Sequence, residues 1–288
     1  MLNIYKKELR SLILSPIGFT VVAVMLVFSG MFVTIYNLFS GSVRIEYSYQ
    51  NTALVLLLAV PLLSMNTLSK EHWSKTDTLM FSLPTPLHKI IIGKYLSLVT
   101  IISIPIAVTF LYTIILSFYA QVSYLSAFTG TLAFWLCACA MLSIGLFISS
   151  LFDNPILCAL CSFALMLLIY FFPTISSILP TSAEATLFVF TLICALLALL
   201  VYRLCRSKSV SIIIGALAEC ILLCIYFFKS SLLEGALYQS AKVLSVMSYL
   251  DAFTVNNTVS IPTYVYYITI STLFVFFTVR SEEKRRLI

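Results

Sequence analysis

Long apolar runs separated by short polar stretches set the pattern of this chain. About 20 consecutive apolar residues are needed for a helix to cross the hydrocarbon core of a bilayer. Eight runs are candidates: residues 17–38, 52–68, 94–117, 127–151, 155–172, 185–202, 210–228 and 263–279. They are continuously apolar, whereas the strands of a membrane barrel alternate and are about half as long. The expected fold is therefore an all-α polytopic membrane helix bundle with about eight transmembrane helices. The whole of residues 1–288 reads as a single transmembrane domain.

Two amphipathic stretches flank these runs. In residues 1–15, Leu2, Tyr5, Leu9, Leu12 and Ile13 share one helical face, with Lys6, Lys7 and Arg10 around the rest. That is the signature of an interfacial helix. It is read as uncleaved, because the apolar run behind it is too long for a signal peptide and lacks a small-residue cleavage site. In residues 229–262, Leu233, Ala236, Leu237, Ala241, Leu244 and Met247 recur at helical spacing. An amphipathic segment at the outer leaflet is expected there, either as a lid on the bundle or as an outer gate.

Charge orients the bundle. With the N-terminus inside, 14 of the 17 basic residues fall on the cytoplasmic side, leaving Arg44, Lys229 and Lys242 outside. Positive charge concentrates in cytoplasmic loops, so both termini are expected in the cytoplasm of a multi-pass cell-membrane protein. Composition agrees: 61% of residues are hydrophobic and only 10% charged, with a mean hydropathy of +1.08. Membrane topology accounts for the net charge of +6, and no nucleic-acid partner is expected. The eight cysteines lie in or beside apolar runs, and the Cys158/Cys161 pair reads as packing rather than a metal or redox site.

The stretch 68–94 stands out because it gathers both histidines, His72 and His88, and four lysines between two spans. It is expected to sit in water at the cytoplasmic face. Chemistry is sparse elsewhere. No glycine-rich phosphate loop occurs, and Asp77, Asp153, Glu184, Glu234 and Asp251 stand apart along the chain. Neither histidine has a nucleophile at a fixed spacing, so neither catalysis nor a metal site is expected. Glu219 is the one acid deep in an expected span. It suits a hydrogen-bonding role within the bundle, or an ion site in an ion-coupled secondary transporter.

Several short matches, in order from residue 6 to 286, carry a family resemblance. They are Lys7-Glu8-Leu9-Arg10 with Ser15-Pro16-Ile17-Gly18, then Glu71 with Lys75-Thr76-Asp77 and Leu83-Pro84, then Gly93-Lys94. The run Ile144 to Leu151 and the terminal Thr278-Val279-Arg280 to Arg286 complete them. The chain resembles ABC exporter permeases, the transmembrane subunits of the ABC transporter type 2 family, in their gliding-motility-like branch. It departs from that pattern at Asn66, Lys70 and Thr78, and its eight expected spans exceed the family's six. The resemblance implies pairing with a second transmembrane subunit and with a cytoplasmic ATPase dimer that carries ATP and Mg. It makes residues 69–93 a coupling loop on which the ATPase sits, with Glu71, Lys75, Thr76, Asp77, Leu79, Phe81, Leu83 and Pro84 as the contact residues. Pro84 and Pro86 would stop that loop sharply.

Overall fold

The computed structural model describes residues 2–42, 44–76, 86–118, 121–178, 245–250 and 261–286, together with positions 184, 186, 187, 189, 191, 238 and 239. Every regular element among them is helical: α1 (Leu2–Leu14), α2 (Pro16–Val33), α3 (Glu46–Ser64), α4 (Leu68–Trp73), α5 (Leu87–Ser117), α6 (Tyr124–Leu151), α7 (Pro155–Ile178) and α8 (Ile261–Arg286). A π-helical turn, Thr34–Phe39, extends α2. Six of these segments are long and apolar enough to cross a membrane: Pro16–Phe39, Glu46–Trp73, Leu87–Ser117, Tyr124–Leu151, Pro155–Ile175 and Ile261–Arg286. The runs expected at 185–202 and 210–228, Glu219 and most of 229–262 lie outside the described residues.

Several boundaries differ from expectation, the last helix among them, which runs on to Arg286 rather than ending at 279. The second span starts at Glu46 rather than Thr52, because Glu46, Ser48 and Tyr49 are buried against neighbouring helices and carry the helix back by about two turns. The third starts at Leu87 rather than Lys94, directly after Pro86, which stands extended at its N-cap.

The bend between α1 and α2 is written locally. Ser15 caps α2, its Oγ accepting from the Gly18 amide at 3.0 Å and donating to the Leu12 carbonyl at 2.8 Å. Pro16 occupies the first helical position, where no amide hydrogen is needed. A Cβ on Gly18 would lie 2.0 Å from the Leu12 carbonyl oxygen, so the turn closes only around glycine.

The described chain divides into two units, residues 1–170 with 249–288, and residues 171–248. In the first, α6 is the central post, packed against α3, α5 and α8. The second and fourth spans are mostly buried inside the bundle, while in the others a smaller share of residues is buried. At Gly145 a Cβ would come within 2.8 Å of Val60 Cγ1, so α3 and α6 cross at a spacing only a small residue permits. Polar side chains then stitch the helices. Tyr49 stacks on Phe134 with ring centroids 5.3 Å apart and bonds Thr131 through its hydroxyl at 2.6 Å. Trp135 donates to Ser103 at 2.7 Å, and Tyr264 donates to the Thr129 carbonyl at 3.0 Å. Cys137, Cys139 and Cys158 are free thiols buried within this packing. In the second unit the described residues include the end of α7 and residues 245–248, where the Ser248 amide donates to Ser245 Oγ.

Candidate functional site at the basic end of the bundle

Four elements meet at α4, the six-residue helix that follows the second span. Its entry is bonded to the fourth span: Ser149 Oγ accepts from the Ser69 amide at 3.0 Å and shares a hydrogen bond with Thr67 at 3.0 Å. From this base, two consecutive side chains reach in different directions.

Glu71 reaches toward Lys94. Lys94 is almost fully buried, and its ammonium bonds Glu71 Oε1 at 2.5 Å and Glu8 Oε1 at 3.3 Å. One cation thus joins α1, α4 and α5. Burying a lysine is costly unless its charge is met, and two carboxylates meet it here. The interfacial helix is held against α5 a second time by Tyr5, whose hydroxyl bonds Thr100 at 3.0 Å.

His72 reaches the other way. Its Nε2 lies 3.2 Å and 3.4 Å from the two carboxylate oxygens of Glu282, and both side chains are completely buried. Its Nδ1 lies 3.9 Å from Asp153 on the turn between α6 and α7. Asp153 is itself bonded to Arg285, one turn beyond Glu282 on α8. At the exposed rim Arg280 pairs with Glu283 at 3.0 Å and stacks over Phe276.

The geometry corrects two expectations. The stretch 68–94 does not all sit in water: Leu68, Ser69, His72, Gly93 and Lys94 are buried, because each packs on or pairs with a distant helix. Asp153 does not stand apart, since Arg285 and His72 face it. Of the expected contact residues, Glu71 is in the Lys94 cluster, while Lys75 and Thr76 are exposed just past α4. Lys75 takes a left-handed backbone, φ 55°, which ends the helix, and the Thr76 amide closes back on the Glu71 carbonyl at 3.0 Å. Asp77, Leu79, Phe81, Leu83 and Pro84 lie outside the described residues.

Sequence reasoning missed three participants, Glu8, Lys94 and Glu282, as partners of the loop. Glu8 and Lys94 lie 86 residues apart, Glu71 and Lys94 23, and His72 and Glu282 210, so no local spacing announces them. It also missed Glu46 at the opposite end. That carboxylate is buried at the start of α3, accepts from Ser126 Oγ at 2.6 Å and lies against Gly130. A helix N-terminus favours an acid there. The signal that could have found it is helical: Glu46, Tyr49, Ala53 and Leu56 share one face, and all are buried.

Among the described residues no group of three or more histidine, cysteine or acidic side chains is arranged to hold a metal. The long apolar helices, with ionisable groups paired at one end, define a polytopic membrane helix bundle. Its sequence matches the family model "ABC-2 family transporter protein" over residues 2–202, and the chain belongs to that family. It is thus the transmembrane subunit of an ABC transporter, a class that works with ABC ATPase partners at a membrane. No curated protein matches the chain.

Proposed function

We propose that this chain is the membrane half of an ATP-driven exporter in the bacterial cell membrane, of the gliding-motility-like branch. A cytoplasmic ATPase dimer, carrying ATP and Mg, would dock on α1 and the loop 69–93. A second transmembrane subunit would complete the pathway, and both termini would be cytoplasmic. The observation that carries the reading is the Lys94 cluster. It ties the loop to the interfacial helix and to the third span through one buried cation, so a push on the loop moves all three as a body. The one-sided placement of the described basic residues supports the orientation, with only Arg44 at the other end.

The test targets the loop beyond the cluster, because changing Glu71 would also disturb the fold. Asp77→Lys and Phe81→Asp are expected to leave the permease inserted while weakening ATPase capture. A charge placed in a docked apolar contact commonly costs about 2–5 kcal/mol, enough to remove most of the bound ATPase. Retention of the ATPase and of ATP-dependent efflux from cells in both variants would take the loop out of the mechanism.

A further inference from the structure

We infer that His72 and Glu282 form a latch that makes the final span part of the moving unit, with Glu282 as a positioning residue for transport; this rests on the coupling reading above. Glu71 and His72 are consecutive, so their side chains leave α4 about 100° apart around the helix. Through Glu71 the helix is held to α1 and α5, and through His72 to α8. The same short element therefore grips both flanks of the bundle.

The His72 contact has the character of a device for register more than for stability. Two ionisable side chains are completely buried, which costs much of what their attraction returns, and apolar residues of the same size would hold the helices as well or better. The imidazole is moreover only half used. Its Nδ1 is buried with no hydrogen bond within the protein, and Asp153 stands 3.9 Å off. The groups facing it are Glu282 and Asp153, with Arg285 holding Asp153 from behind. All three lie on α8 or on the α6–α7 turn, so the direction α4 can be pulled is set from the last span.

The experiment uses the permease assembled with its ATPase in lipid nanodiscs. Nitroxide labels go on two exposed positions, Lys70 on α4 and Lys284 on α8. In the otherwise wild-type complex the label separation is expected to stay constant between the nucleotide-free and the ATP-vanadate states. In Glu282→Ala it is expected to change between the states, and permease-stimulated ATP hydrolysis to fall about tenfold, within the 5- to 150-fold span of ordinary site-to-site coupling. The exchange His72→Glu with Glu282→His restores both readouts. A constant separation and normal stimulation in Glu282→Ala overturns the latch, because a merely structural role alters only the amount of folded complex. If that variant does not assemble, the exchanged pair decides alone: normal coupling supports the latch and lost coupling overturns it. Failure of the wild-type permease to capture any ATPase overturns the coupling reading itself and the latch with it.

Discussion

The two ends of the bundle solve the same problem in different ways. At the basic end, ionisable groups are buried and answered by ionisable groups from distant elements: Lys94 by Glu8 and Glu71, and His72 by Glu282. At the opposite end, the buried polar groups are answered by hydroxyls and carbonyls. Ser126 bonds Glu46, Thr131 bonds Tyr49, and Asn37 donates to the carbonyls of Ser42 and Arg44 while accepting from Ser48. Among the described residues no salt bridge reaches Glu46. Ion pairs lose heavily when one partner is removed, whereas single hydrogen bonds between membrane helices average about 0.6 kcal/mol and reach at most about 1.7. One end is thus all-or-none and the other is graded. That division suits a protein that receives force at one end and only has to keep its helices together at the other.

The contrast can be broken most sharply at Lys94. Lys94→Met leaves the Glu8 and Glu71 carboxylates facing each other without a cation. It is expected to cost about 3 kcal/mol or more, read as a large loss of folded permease in membranes. A variant as abundant and heat-resistant as the wild type would show that the cluster is not what joins the three helices. At the opposite end, Glu46→Gln keeps an oxygen for Ser126 and is expected to fold normally. Ser126→Ala should lower the thermal midpoint measurably but modestly, by about 1 kcal/mol of stability. If Ser126→Ala matches the loss at Lys94, the two ends are not different in kind. The smallest effect belongs to the rim: Arg280→Gln breaks an exposed pair with Glu283 and is expected to change stability by less than about 0.5 kcal/mol.

How far the chain could be read before folding follows the same division. The apolar runs announced the six described spans because lipid rewards uninterrupted hydrophobicity, a property of neighbours in sequence. The elbow at Ser15-Pro16-Ile17-Gly18 was legible for the same local reason, since cap, proline and glycine all act within one turn. The site was legible only as a place. That the stretch 68–94 is polar and special followed from its lysines and histidines. That Lys94 and His72 are buried did not, because what makes their burial tolerable comes from Glu8 and Glu282 at the two extremes of the chain. Glu46 was concealed in another way: an acid ahead of an apolar run reads as a loop, until a glycine opposite, Gly130, leaves room for its stem.

The elbow carries a consequence for how this protein can change over generations. With the Leu12 oxygen 2.0 Å from where any Cβ on residue 18 would sit, every base change that alters the amino acid at that codon brings an atom into occupied space. The conflict is with backbone, so it cannot be relieved by swapping a neighbouring side chain. Position 18 therefore has no viable single-step neighbours in sequence space unless α1 first tilts away from α2. But α1 is fastened to α5 by Tyr5 and by Lys94, so that tilt in turn requires those fastenings to be lost. A laboratory library randomised at residue 18 alone is expected to return glycine.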